Sequence, residues 1–203
     1  GGSGGGAGIS TLADGSSIVT GRFSGTANFG NTTLTSTGDF DVFIAKLKAD
    51  GSYAWATQAG GSGSDIGEGI ATLADGSSII TGKFGGTANF GNTTLTSAGD
   101  SDIFIAKLNA DGSYAWATQA GGSSVDAGAG VSTRADGSSI VTGFFHNTAT
   151  LGSTQLTTVG YSPFIAKLNA DGTFAWATSA NLSLAGILGS QAVSTLADGS
   201  SII

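Results

Sequence analysis

The sequence predicts an all-β fold built from four-stranded antiparallel units, and three observations predict it. A long self-similarity dominates the 203 residues. Phe-Ile-Ala-Lys-Leu begins at Phe43, Phe104 and Phe164, spaced 61 and 60 apart, and Trp55, Trp116 and Trp176 recur with the same spacing. Within each repeat the apolar residues alternate with polar ones in short runs, the period of strands, and no segment keeps helical spacing over three turns. Asp-Gly pairs punctuate those runs, the strongest short hairpin signal because glycine accepts positive φ.

The elements follow in order. Residues 70–84 read as two β-prone runs around Asp75-Gly76, and residues 103–120 as two more around Asp111-Gly112. Two hairpins make four strands per repeat. Between them, Gly86-Thr-Ala-Asn-Phe-Gly-Asn-Thr-Thr-Leu-Thr-Ser is a polar insert that can form a small extra hairpin. The Asp of Ala-Asp-Gly-Ser-Ser stands at Asp14, Asp75, Asp136 and Asp198, and each is expected in a tight turn between antiparallel strands of one unit. The repeats divide the chain into residues 1–60, 61–121, 122–181 and a partial fourth at 182–203, all in one domain.

Four antiparallel strands per repeat match a β-propeller blade, and a common blade of roughly 40–45 residues plus the insert accounts for the length. A parallel β-helix would explain the Gly, Ser and Thr bias, but its coils are shorter and Asp-Gly hairpins imply antiparallel pairing. Separate β-sandwiches would need about 100 residues per unit. The expected fold is therefore a partial propeller ring. The final Ile202-Ile203 matches Ile79-Ile80 inside a strand, and about 3.3 blades cannot close a ring of roughly 4–8. The missing neighbours are expected from further blades of a longer chain or from neighbouring subunits, and the piece alone is expected to associate.

Composition narrows the function. The net charge is −7, with a single glutamate (Glu68) and seven scattered basic residues, which argues against nucleic acid and anionic membrane surfaces. No apolar stretch approaches a spanning helix of about 20 residues. The absence of cysteine removes disulfides, thiolate metal sites and cysteine nucleophiles. An Asp/Thr/Ser/Gly-rich, charge-poor chain suits an extracellular or cell-surface bacterial protein.

The string Gly-x-x-Asp-x-Phe-Ile-Ala-Lys-Leu-x-Ala-Asp-Gly-x-x-x-Trp-Ala-Thr runs from Gly99 to Thr118. With Gly-Gly-Ser-Gly-x-Asp at Gly60–Asp65 and Thr-Gly-x-Phe at Thr81–Phe84, it resembles the bacterial SBBP-type β-propeller repeat. The resemblance covers essentially the whole chain. It implies a propeller in large secreted or cell-surface bacterial proteins and implies no catalytic residue. The third unit departs from the pattern: Ser162-Pro163 replaces the Asp-hydrophobe pair before Phe164, and Leu182–Leu188 replaces the Gly-Ser-x-Asp turn.

Chemistry-bearing residues are few. Gly1-Gly2-Ser3-Gly4-Gly5 fits Gly-x-Ser-x-Gly, but a nucleophile elbow needs a strand before it and a helix after it. The lone His146 falls in the insert, where the other units carry Gly25 or Gly86, and reads as a loop residue. Asp39/Asp41 and Asp100/Asp102 form Asp-x-Asp pairs that, if extended, place both carboxylates on one side as candidate Ca²⁺ ligands. A hard ion needs about six oxygens, so the competing reading is a turn cap, as for Asp65 and Asp126. No other cofactor is expected.

Trp55, Trp116 and Trp176 alternate with Tyr53, Tyr114 and Phe174 along one expected strand face. They are candidates for a sugar-stacking platform or for packing between blades, in which case the tryptophans and Phe43, Phe104 and Phe164 should be largely buried. Lys46, Lys107 and Lys167 are expected to lie along apolar neighbours with their ammonium groups in water. The leading expectation is a non-enzymatic extracellular scaffold displaying loops for adhesion or assembly. The alternative is a carbohydrate-binding propeller module, with surface glycans as partners.

Overall fold

A computed structural model describes residues 2–179, 193–195 and 201–202. The described residues are all β, arranged as antiparallel sheets with no helix among them. The first unit contains β1 (Gly4–Thr11), β2 (Ser17–Phe23), the insert hairpin β3 (Thr26–Phe29) and β4 (Thr32–Thr35), then β5 (Asp41–Leu47) and β6 (Tyr53–Gly61). The second repeats it as β7 (Ile66–Thr72), β8 (Ser78–Phe84), β9 (Thr87–Phe90), β10 (Thr93–Thr96), β11 (Asp102–Leu108) and β12 (Tyr114–Ala120). The third has β13 (Ala127–Thr133), β14 (Ser139–Leu151), β15 (Thr154–Leu168) and β16 (Phe174–Ser179), its insert hairpin being continuous with β14 and β15. A short pair, β17 (Ser194–Thr195) and β18 (Ser201–Ile202), follows.

Each unit is a four-stranded meander, ordered β1-β2-β5-β6, β7-β8-β11-β12 and β13-β14-β15-β16. The Asp-Gly turns set this order. In residues 73–77 the Leu73 carbonyl accepts from the Gly76 N–H at 3.0 Å, and Gly76 sits at φ 83°, the αL position of a bulged hairpin turn. The Asp75 carboxylate then accepts from the Ser77 backbone N–H at 2.9 Å, locking the turn. Asp14 and Asp136 cap identical turns inside their own units, as the sequence predicts. Asp198 lies outside the described residues. The same motif closes the second hairpin of each unit at Asp50, Asp111 and Asp171.

The units stack face to face, and the core lies between them. One apolar cluster joins Ile18, Val42 and Ile44 of the first unit to Ile70, Ile80, Phe84, Phe90 and Phe104 of the second. A second joins Ile79, Ile103 and Ile105 to Val131, Val141, Phe145 and Phe164. The first strands β1, β7 and β13 lie side by side, because each carries Gly-x-Gly at a bulge. A Cβ on Gly8 would stand 2.8 Å from the Glu68 carbonyl oxygen, and one on Gly69 would stand 2.7 Å from that of Ala129. At the far edge Trp55 and Trp116 reach across to the next unit, and β6 pairs with β9 at Gly60/Asn89 and Gly61/Ala88, which joins the first meander to the second insert hairpin in one six-stranded sheet. Among the described residues the units do not close a ring.

Phe43, Phe104 and Phe164 are buried as expected. The tryptophans are not: Trp55 and Trp116 are half-buried and Trp176 is 43% exposed. Nor do Tyr53 and Trp55 share a face. The pairing of β5 with β6 slips between Lys46 and Leu47, and the repeats slip likewise at Lys107/Leu108 and Lys167/Leu168. A bulge of one residue turns the next side chain to the opposite face. Trp55 therefore points toward the second unit, while Tyr114 points back toward the first. Lys46, Lys107 and Lys167 are half-buried on the same strands.

Candidate functional site

The two junctions between units hold the most unusual chemistry. Asp41 opens β5, and Asp65 stands just before β7; both are fully buried. The Asp65 carboxylate accepts from the Gly61 N–H at 2.8 Å and from the Gly85 N–H at 3.1 Å. It thus ties the end of one unit to the body of the next. Asp41 Oδ2 accepts from the Thr37 N–H and hydroxyl, each at 3.1 Å, but Asp41 Oδ1 is buried without a partner. Both carboxyls crowd one point: a Cβ on Gly60 would lie 2.7 Å from Asp41 Oδ1 and 2.8 Å from Asp65 Oδ2.

The second junction repeats the arrangement with Asp102 and Asp126. Asp126 accepts from the Gly122 N–H at 2.7 Å and from the His146 N–H at 2.9 Å. Asp102 Oδ2 accepts from the Ala98 N–H at 2.9 Å, and Asp102 Oδ1 is again buried and unpartnered. Burial pushes the Asp65 carboxyl up to about 6, against two stabilising backbone N–H groups, with the Asp41 charge adding to the rise. Burial likewise raises Asp102 to about 6, helped by the Asp126 charge, and raises Asp126 despite its two backbone donors.

The expected Asp-x-Asp pairs do not form. Asp39 and Asp100 lie exposed in bends, whereas Asp41 and Asp102 are buried at strand starts, so the two carboxylates of each Asp-x-Asp do not share one environment. The partner of each buried Asp is the one in the Gly-Ser-rich turn, more than twenty residues on. No group of three or more His, Asp or Glu side chains able to hold a metal ion occurs among the described residues. Two carboxyls fall short of the oxygen count a Ca²⁺ ion needs.

The tryptophans bind across the junctions. The Trp55 indole N–H donates to the Ala110 carbonyl of the second unit at 3.1 Å, and Trp116 donates to Ala170 of the third at 3.2 Å. Each ring seats on the glycine of the same turn, where a Cβ on Gly112 or Gly172 would lie 2.8 Å from the indole. Tyr114, facing the other way, stacks edge-on to Phe90 at 5.9 Å, with its hydroxyl buried and unpartnered. The third unit carries Phe174 at this place. Tyr114→Phe is therefore expected to leave stability unchanged or raise it by about 1 kcal/mol, since it removes an unsatisfied buried hydroxyl. Urea unfolding of the two proteins measures this, and a loss above about 1 kcal/mol would contradict it.

Ser3 shares hydrogen bonds with Ser24, its backbone N–H donating to Ser24 Oγ at 3.2 Å, ahead of a strand rather than a helix. His146 is not a loop residue as expected: it lies half-buried in β14, opposite Tyr161 of β15, and packs its ring against that tyrosine at 4.6 Å. It stands at the place of Gly85, the residue whose N–H also reaches an Asp; Asn147, at φ 64°, takes the left-handed place of Gly25 and Gly86. Asparagine serves there because it tolerates that conformation best after glycine. No helix among the described residues is long and apolar enough to cross a membrane. No protein-family model matches the chain, and no curated protein matches it in sequence.

Proposed function

We propose that the chain is a non-enzymatic scaffold of β-propeller blades, of the SBBP-type repeat its motifs resemble, working outside a bacterial cell or on its surface in adhesion or assembly. The observation that carries the reading is where the reactive side chains go. The buried Asp65 and Asp126 carboxyls and two of the three tryptophans bind unit to unit, which is a structural use. Glycine backbones in contact between the first strands, and an indole reaching from one unit's last strand to the next unit's turn, support a radial arrangement of blades.

What remains for a partner is the insert hairpin, repeated outward. In β3–β4 the exposed polar set is Thr26, Asn28, Thr33 and Thr35, and in β9–β10 it is Thr87, Asn89, Thr94 and Thr96. These hydroxyl and amide groups are uncharged and offer hydrogen bonds to a neutral polar surface. The carbohydrate-stacking alternative loses two of its three indoles to the junctions.

Arrays of glycans and of matrix proteins, probed with the fluorescent chain, test the proposal. Binding is expected to drop at least tenfold when Thr33, Thr35, Thr94 and Thr96 become alanine, with melting unchanged. Binding that survives those changes and vanishes in Trp176→Ala would establish the stacking platform instead.

A further inference from the structure

We infer that Asn31 and Asn92, at the tips of the first two insert hairpins, are acceptors for N-linked sugar. The inference rests on the extracellular reading above, since the chain must meet a glycosylating enzyme, and its test separates the two. Each asparagine opens the tripeptide Asn-Thr-Thr, which fits the acceptor pattern of asparagine, any residue but proline, then serine or threonine. The other described asparagines do not fit it: Asn28 and Asn89 precede Phe-Gly, Asn109 and Asn169 precede Ala-Asp, and Asn147 precedes Thr-Ala.

The fold presents both tripeptides. Gly30 and Gly91 take φ 62° and 61° ahead of each asparagine, and Phe29 and Phe90 pair with Thr32 and Thr93, so a two-residue turn carries the amide at the hairpin tip. Both asparagines are exposed, and among the described residues neither side-chain amide has a hydrogen-bond partner. The turn does not need that amide, because Ser153 takes the same place after Gly152 in the third unit. The rest of each tripeptide runs onto β4 or β10, which are paired on one side only. Gln58 and Gln119 cover that edge at Thr35 and Thr96, the end away from the tip. An enzyme can therefore grip the tripeptide backbone along an open strand edge.

An amide nitrogen is a weak nucleophile, so the enzyme must hold it against the anomeric carbon of a sugar activated as a phosphate ester, a nucleotide- or lipid-linked donor. The bond from the asparagine Nδ2 to that carbon forms, and the carbon–oxygen bond to phosphate breaks with its electron pair leaving on the phosphate. One amide proton passes to a base of the enzyme. The hydroxyl two residues on is the second handle. Thr33 Oγ1 donates to Asn28 Oδ1 at 2.8 Å, and Thr94 Oγ1 to Asn89 Oδ1 at 2.8 Å, which leaves the lone pairs of each hydroxyl open to a donor from the enzyme. The tip also borders free space. Beside the equivalent Gly152 of the third unit lies an open groove of about 420 Å³, lined by Trp116 and Phe174.

Peptide mapping by mass spectrometry tests this on the protein recovered from the cells that make it, with secreted and intracellular fractions kept apart. The secreted chain is expected to carry sugar on the peptides holding Asn31 and Asn92. Asn31→Gln and Asn92→Gln should each lose the sugar from that peptide alone. Thr33→Ala should lose it from the Asn31 peptide as fully, whereas Thr33→Ser should keep it. Ser153→Asn and Gln155→Thr made together should add sugar to the third hairpin. All these side chains are exposed, so melting should be unchanged in every variant. A secreted chain whose Asn31 and Asn92 peptides are unmodified, or whose sugar persists in Asn31→Gln and Asn92→Gln, would overturn the inference and leave the extracellular reading standing. A chain found only inside the cell and without sugar would overturn both.

Discussion

Phe104→Ala is expected to cost about 3–5 kcal/mol, as for a large aromatic removed from a close-packed site. Phe104 is fully buried, its ring lying 4.8 Å from that of Phe90 in the cluster that joins the first and second units. Its equivalent Phe43 occupies the same place in the first unit, with Phe29 at 5.1 Å, and among the described residues no other unit packs on that face. Phe43→Ala should therefore cost less, about 2 kcal/mol, since the cluster around it is smaller and leaves it 8% exposed. Urea unfolding of both variants measures the difference. Equal losses would mean that the aromatics are held by their own sheets and that stacking contributes little.

Asp102→Asn is expected to stabilise the protein at neutral pH, on the order of 2 kcal/mol, and to flatten its pH dependence. Burial raises the Asp102 carboxyl to about 6 from an ordinary 3.8, with the Asp126 charge contributing, so the folded protein binds more protons than the unfolded chain between those values. Stability from this junction is full below about pH 3.8 and is lost as pH rises through about 6. Asp65, raised to about 6 chiefly by burial, gives the other junction the same sign.

The turn aspartates act in the opposite sense. Asp14, Asp75 and Asp136 are held below 3.8 by the serine hydroxyl and backbone N–H two residues on, so their contribution fades only as pH falls below that value. The melting temperature should thus climb from pH 7.5 to about 5, and more gently in Asp102→Asn, whose amide can donate where the orphaned Oδ1 cannot. A melting temperature that rises with pH over this range in added Ca²⁺ would mean that the carboxyls hold a cation rather than a proton.

The sequence by itself determined the unit. Alternation, the Asp-Gly turns and the 61- and 60-residue spacings lead to four antiparallel strands and an insert hairpin, because turn chemistry and strand period act locally. It also marked the phenylalanines as core. Only the tertiary structure decided the pairing of Asp41 with Asp65 and of Asp102 with Asp126. Those partners meet where one unit hands the chain to the next, and nothing in the short Asp-x-Asp spacing reports that distance. The recurrence of Asp65 and Asp126 once per repeat was the available signal.

The tryptophans depart from the expected shared face for a related reason. A single-residue bulge inverts every later side chain, and it lies in the register between two strands rather than in either strand alone. The role of the Gly-x-Gly in the first strands, letting backbones of successive units touch, exists only once the units are stacked. Local physics made the four-stranded units; contact between them chose what each side chain does.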